Sequence, residues 1–388
     1  TKYFDNVFNS LLSAYRKGYG CHDVLLKLVE DWKYALDENM YAGAILMDLS
    51  KAFDCLPHSL LICKLAAYGF SNESCLLIAS YLSDRKQRVK LGNVRSSWSN
   101  LTKGVPQGSI LGPILFNIFI HDLYFFINDC TMFNYADDNT LFLCKNSMQE
   151  LKDGLTNDST IAVQWFINNG MKANPSKFQA ILSHRSIKLS EIFNINNIHV
   201  QTQDSVHLLG IDIDSDLSFK THIDKLCKRA SRQLNVLRRF SKILTINNKL
   251  LIFQSYILSI FNYAPIVWNF CGKTKVTVME KIQESALRFV YDDASSCYLD
   301  LLKRSDRDSL KDYRLKCLAV QVYKCIHGAS PRFLDSLFVQ KTQPYSLRDD
   351  KTLIQPKVNT VKHGLLSFRY HGTKVWNTLP VNIKSAPD

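Results

Sequence analysis

The chain has 388 residues, 46% of them hydrophobic and 11% aromatic, which is enough to bury cores in roughly two domains and excludes a disordered tract. Forty-eight basic against 35 acidic residues leave a net charge of +13, which favours a polyanionic partner such as nucleic acid over an acidic protein partner. The longest apolar stretches, "ILGPILFNIFI" and "LIFQSYILSIFNYAPIVW", read as core helices and not as spans of about 20 uninterrupted apolar residues, so no membrane association is expected.

The first third alternates helix and strand signals. "CHDVLLKLVEDWKYALDE" carries Val24, Leu25, Leu28, Trp32 and Leu36 at helical spacing, and "AGAILMDL" is a short apolar run that reads as a buried strand ending in Asp48. "PHSLLICKLAAYGF" reads as a helix with Pro57 at its first position and Gly69 as its stop. After the Pro-Gln-Gly turn at 106 to 108, "SILGPILFNIFIHDL" sets Ile110, Leu111, Ile114, Leu115, Ile118 and Phe119 on one helical face. "MFNYADDNTLFLC" reads as strand, turn, strand, with Asp137, Asp138 and Asn139 as the turn formers. "QWFINNGMKANPSKFQAILS" is a helix end, loop and strand, and "SVHLLGIDIDSDLSF" a strand pair enclosing Gly210. From about residue 215 the pattern is helical, with helices predicted at 221–240, 247–262, 278–290 and 308–327. A domain boundary is placed near 215. The eleven cysteines are scattered and form no C-x-x-C pair, which reads as reduced thiols of an intracellular protein. The start at Thr1, without Met or leader, reads as an N-terminal truncation.

The residues that invite chemistry are carboxylates. Asp48 ends one predicted strand, and Asp137 with Asp138 tips a hairpin eighty-nine positions later, so adjacent strands of one sheet would bring them together. Clustered carboxylates suit metal-assisted phosphoryl transfer, in which two Mg²⁺ ions about 3.5–4 Å apart serve the attacking and leaving oxygens. Mg²⁺ takes hard oxygen ligands, so Asp serves it better than His or Cys. Taken alone, Asp-Asp-Asn at a hairpin tip reads equally as a solvated turn. The segment His222–Phe240 has six basic residues against one acidic, opposite the apolar series Ile223, Leu226, Ala230, Leu234 and Leu237. Such a face is either solvated or laid against phosphates.

Five words, "AGAILMDLSKAFDCLPHSLL", "LTKGVPQGSILGPILFNIFIHDL", "YADDNTLF", "NNGMKANPSKFQAILS" and "HLLGIDIDSDLSF", follow in one order over about 170 residues. In content, order and spacing they resemble the reverse transcriptases of non-LTR retrotransposons of the LINE, jockey-like kind. The resemblance continues through the helical part to "FRYHGTKVWNTLP". It implies an α+β right-hand polymerase: partial fingers and palm over 1–215, a helical thumb over 216–330, and a C-terminal extension over 331–388. It implies an RNA-directed DNA polymerase that copies RNA into DNA by two-metal nucleotidyl transfer, with two Mg²⁺ (or Mn²⁺), an RNA template, a DNA primer and dNTPs. Priming on a nicked chromosomal end and a ribonucleoprotein moving between cytoplasm and nucleus are implied in the same way.

Carried over residue by residue, the resemblance makes Asp48, Asp137 and Asp138 the catalytic metal carboxylates and the Leu49 carbonyl a backbone ligand. Phe53 takes the sugar-gate position, where a ring against C2′ would clash with a ribose hydroxyl. Backbone amides between Ser50 and Phe53 would face the triphosphate, and Asp54 either shares that task or caps the helix near Pro57. Gln107 and Gly108 would lie against nucleotide and template, Lys177 near the leaving pyrophosphate, and Arg16, after Tyr15, in the family's aromatic-Arg positions of the fingers. Leu209 and Gly210 fall in the primer-grip hairpin, and Lys225, Lys228, Arg229 and Arg232 would face nucleic-acid phosphates. The sequence departs from the family in lacking the upstream basic fingers strands and in having Phe178 where Thr usually follows the lysine. Two alternatives stay open: a catalytically silent nucleic-acid-binding fragment, and a viral RNA-dependent RNA polymerase, against which Phe53 and "PQGS" argue.

Overall fold

The computed structural model describes residues 2–341 and 351–385. Contacts divide the chain into two compact units: Thr1–Gly20, Tyr41–Leu182 and Lys188–Gln203 form the first, and Cys21–Met40, Ser183–Ile187 and Asp204–Asp388 the second. No described helix is long and apolar enough to cross a membrane.

The first unit is built on a four-stranded sheet in the order Thr131–Tyr135, Asp138–Lys145, Tyr41–Met47, Gln179–Ser183. Six of the seven residues of Tyr41–Met47 are buried, as a continuous apolar run in an interior strand requires. Its antiparallel register runs from Tyr41 opposite Lys145 to Met47 opposite Asn139. The helices Leu111–His121 and Met148–Asn168 supply Leu115, Phe116, Phe119, Leu151, Leu155 and Phe166 to the core that includes Ile45, Met47 and Leu141. The long helix is legible in the sequence only at its "QWFIN" end. Its first two turns are polar around Leu151, and its buried Asp158 belongs to no apolar stripe.

Asp158 has a structural task. Its carboxylate accepts the backbone N–H groups of Asn128, Asp129 and Cys130 at 3.2, 2.9 and 2.7 Å, satisfying three amides just before the strand Thr131–Tyr135.

Several boundaries differ from the sequence expectation. Pro57 precedes the helix His58–Ala67 in an extended conformation, because it bridges Lys103 and the Leu56 carbonyl accepts the Gly104 amide. The helix expected at Ile110 starts at Leu111, and Ile110 is 88% exposed; the Ser109 hydroxyl accepts the Gly112 amide and holds that first turn in solvent. The Asp-Asp-Asn turn is shifted by one or two residues: Asp138 and Asn139 already belong to the strand, and the loop is Ala136-Asp137.

The second unit is mainly helical, with Lys220–Arg238, Ile246–Ile252 continuing to Asn262, Lys273–Tyr291, Tyr298–Ser305 and Leu310–Ile326. The linear division at 215 is not how the units form, because the helix Cys21–Asp37 packs with the C-terminal segment. The Glu30 carboxylate accepts the amides of Phe368 and Arg369, and the Asp37 carboxylate accepts those of Asn359 and Thr360 and the Thr360 hydroxyl. Segment 331–388, of which 342–350 and 386–388 lie outside the described residues, contributes the helix Phe368–Thr378 with Trp376 fully buried.

Asp158→Ala removes the acceptor of three backbone donors in a buried setting. It is expected to destabilise the protein by about 3 kcal/mol, read as a lower urea midpoint at unchanged m-value. A midpoint within error of the parent would exclude this role.

Candidate active site

The strand register builds the site. Continuing Met47 opposite Asn139 by one step sets Asp48 beside Asp138, the first residue of its strand, while Asp137 occupies the two-residue loop. Ala136 takes a positive φ of 56°, a conformation that L-residues other than Asn and Asp rarely adopt. Two buried asparagines hold it: Asn134 Nδ2 donates to the Ala136 carbonyl at 3.0 Å and to Asn139 Oδ1 at 2.8 Å, and Asn139 Nδ2 donates to the Asp137 carbonyl at 2.9 Å. The two Asn flanking "YADD" are the sequence signal for this clamp; sequence reasoning named Asn139 only as a turn former and passed over Asn134.

Lys177 lies on the other side. Its Nζ donates to Asp48 Oδ2 at 2.7 Å. The Lys177 pKa is raised by that hydrogen bond first, then by the charge of Asp48, with Asp137 and Asp138 adding to it. One exposed ammonium therefore feels all three carboxylates. Tyr15 is raised as well, by partial burial and then by the charge of Asp137. Asp48 itself is anchored through its backbone, its carbonyl accepting the Asn174 amide while the Ser50 amide donates to the Lys172 carbonyl. These bonds flank the Leu49–Ala173 bridge and leave the Leu49 carbonyl outside it. They also occupy the Ser50 amide, so the expected run of triphosphate-facing amides reduces to Lys51–Phe53.

Phe53 sits in the short helix Ala52–Cys55, stacked on Phe116 at 4.6 Å between centroids and met edge-on by Tyr15 at 6.0 Å. It is half-buried, with its back fixed. Asp54, in the same helix, accepts from Gln107 Nε2 at 3.0 Å, and no side chain caps the following helix His58–Ala67. Gly104 makes this pairing possible: its φ is +84°, and a Cβ there would lie 2.7–2.8 Å from the Asp54 backbone. Gly108 has a φ of +81° and open space around it, leaving the loop surface bare.

The other candidates fall elsewhere. Arg16 donates to the carbonyls of Asn9 and Leu12 at 2.9 Å each and covers the Tyr19 ring at 4.2 Å, so its guanidinium braces its own loop. Leu209 and Gly210, with φ of 45° and 81°, form the two-residue turn of the hairpin Ser205–Leu208/Ile211–Asp214, and Tyr263 donates to the Leu209 carbonyl at 2.6 Å. Lys225 Nζ donates to Asp212 Oδ1 at 2.9 Å while its side chain stays 63% exposed. Lys228, Arg229 and Arg232 are exposed on the same helix.

Among the described residues no three His, Cys, Asp or Glu side chains are gathered into a metal cluster. The donor set around Asp48 is nonetheless of the kind Mg²⁺ takes: carboxylates and a backbone carbonyl, all hard oxygen, with no soft ligand beside them. A divalent ion would compete with the Lys177 ammonium for Asp48 Oδ2.

A sequence model of the family described as reverse transcriptase (RNA-dependent DNA polymerase) matches residues 1–213. The chain is 26% identical over 291 residues to the probable RNA-directed DNA polymerase from transposon BS of Drosophila melanogaster, covering 72% of this chain and 32% of that protein. It is also 26% identical over 285 residues to the RNA-directed DNA polymerase from mobile element jockey of Drosophila funebris, covering 71% and 31%. The chain thus spans about a third of the length of these relatives. Among solved structures, apo telomerase from Candida tropicalis is similar with a TM-score of 0.42 at 12% identity, over 86% of this chain and 59% of that one. Telomerase from Candida albicans with a fragment of telomeric RNA gives 0.40 at 15% identity, over 83% and 54%.

The raised pKa of Lys177 implies that its pair with Asp48 is complete below the ordinary lysine value and is lost as pH rises through the elevated one. Asp48→Asn is expected to lower the Lys177 titration towards an ordinary lysine, followed by NMR of Nζ. An unmoved titration would mean that Asp48 is not the partner.

Proposed function

The chain belongs to the reverse transcriptase family, of the non-LTR retrotransposon kind, and on that premise we propose that it copies RNA into DNA by nucleotidyl transfer at the Asp48, Asp137 and Asp138 carboxylates. The observation that carries this is the strand register that sets Asp48 beside Asp138 with Asp137 in the adjoining loop, Lys177 Nζ closing on Asp48 at 2.7 Å. In this reading Asp48, Asp137, Asp138 and the Leu49 carbonyl hold two Mg²⁺ ions. When bound, these activate the attacking hydroxyl and neutralise charge at the leaving oxygens.

The chain's own residues do the rest. The clamped turn keeps Asp137 and Asp138 in place before substrate arrives, so little reorganisation is needed at the moment of reaction. Lys177, whose ammonium pairs with Asp48, would supply a positive charge and a proton at the pyrophosphate side. Phe53, backed by Phe116, cannot retreat from a sugar laid against it, and the contact would exclude a 2′-hydroxyl. Asp54 orients Gln107 so that the bare Gly108 loop faces the nascent base pair. The partners of this reading are an RNA template, a DNA primer supplied by a nicked chromosomal end, and dNTPs, within a ribonucleoprotein of cytoplasm and nucleus.

A second reading has one observation in its favour, the Lys177 ammonium seated on Asp48 Oδ2 where a cation would bind: a silent fragment that binds nucleic acid in a salt-sensitive way without extending a primer. Primer extension with Mg²⁺ on an RNA template separates the two. Asp137→Asn is expected to lower extension by at least about 100-fold while leaving template binding intact; retained extension would remove Asp137 from the site. Phe53→Ala or Phe53→Val is expected to raise ribonucleotide incorporation relative to deoxynucleotide, and unchanged sugar selectivity would remove the gate.

A further inference from the structure

Between the helix Asn72–Leu82 and the Gln107 loop, the first unit carries an exposed hairpin. Lys86–Gln87 pairs with Ser99–Asn100, and Lys90–Leu91 with Val94–Arg95 around a Gly92-Asn93 turn. Residues 86–100 are exposed throughout, with Val89, Leu91 and Val94 at 72%, 81% and 74% and Trp98 at 59%. An isolated two-stranded ribbon with no buried face is marginally stable in water. Such a surface gains stability from a partner.

Its chemistry states which partner. From Arg85 to Lys103 there are six cations, Arg85, Lys86, Arg88, Lys90, Arg95 and Lys103, and no acidic residue. Among the described residues none of the six is in an ion pair with a carboxylate, whereas Lys64, Lys145, Lys152 and Lys177 of the same unit are. Like charges packed along one ribbon repel, and a polyanion relieves that repulsion.

The register adds a second, independent feature. Gln87 lies opposite Ser99, but the Ser96 amide donates to the Val89 carbonyl, so two residues, Ser97 and Trp98, face Arg88 alone. This is a β-bulge, a device that re-aims a side chain. Here it sets the Arg88 guanidinium 4.4 Å over the Trp98 ring. One face of the indole is covered by a cation and the ring is otherwise open. An open aromatic face flanked by cations is how proteins stack an unpaired base while holding its phosphates. A base inside a duplex is stacked on its neighbours and cannot offer its face.

We propose that the hairpin Arg85–Lys103 is a binding arm for single-stranded nucleic acid, with Trp98 as the base-stacking platform and Arg88, Lys90 and Arg95 against the phosphates. The inference rests on the hairpin alone and does not depend on polymerase activity.

The test is fluorescence anisotropy of the full chain with a labelled 20-nucleotide oligouridylate and, separately, a 20-base-pair DNA duplex, in EDTA so that no metal-dependent step contributes. Trp98→Ala is expected to weaken oligouridylate binding about tenfold, with Trp98→Phe restoring most of it and duplex binding changing little. Lys90→Ala with Arg95→Ala is expected to lower the log-log salt slope by about 0.7 per lost phosphate contact. Unchanged oligouridylate affinity in Trp98→Ala, or equal losses for single strand and duplex, would overturn the proposal. Failure of primer extension with these binding results intact would count against the catalytic reading and not against the arm.

Discussion

The antiparallel register between Tyr41–Met47 and Asn139–Lys145 is the constraint on which the rest of the site depends. Side chains alternate across a sheet, so a slip of one residue would send every side chain of the strand to the opposite face. It would move Asp48 away from Asp138 and, because both faces of the strand are buried, press Ile45 and Met47 into the space now filled by Ala44 and Leu46. The same apolar residues that drive the strand into the core therefore decide where the acidic group at its end emerges. Placement of the candidate carboxylate and burial of the core are one selection here, made by Ala44, Ile45, Leu46 and Met47 against Thr140, Leu141 and Phe142.

Around that register, buried polar groups serve to aim and not to react. Asn134 and Asn139 hold a turn whose first residue has a positive φ, and Asp158 receives three amides at the start of the same hairpin. Each is buried, and each makes at least one hydrogen bond to the backbone it orders. The three candidate carboxylates are left half-buried, with Lys177 closing on Asp48. The Phe53 ring follows the same division, its back packed on Phe116 and its front presented.

How far the sequence could be read depends on whether the determining contacts are local. The apolar run before Asp48, the strand-turn-strand of "MFNYADDNTLFLC" and the helix after "PQGS" rest on periodicity and turn chemistry, and they stand in the structure with boundaries moved by a residue or two. The helix Met148–Asn168 was hidden because its buried Asp158 satisfies amides distant in sequence, which no periodicity records. The hairpin 86–100 was hidden because exposed, short, bulged strands have neither an apolar face nor a steady alternation. Arg16 and Lys225 were legible as cations, but their partners, the carbonyls of Asn9 and Leu12 and the Asp212 carboxylate, were not. Charge is a property of a residue, whereas being available to a ligand is a property of its surroundings.

By itself, then, the sequence determined the family, the mixed helix and strand content, and the identity of the acidic residues, because these rest on residue type, order and short-range period. Only the tertiary structure decided that Asp48 and Asp138 lie side by side, that Lys177 closes on Asp48, and that Gly104 lets Asp54 meet Gln107. Only it decided that the helix Cys21–Asp37 joins the second unit through Glu30 and Asp37 and not the palm beside it in sequence. The physical reason is common to all of these. Each depends on a hydrogen bond or strand pairing between residues tens to hundreds of positions apart, whose free energy exists only once the intervening chain has folded and its closure entropy has been met.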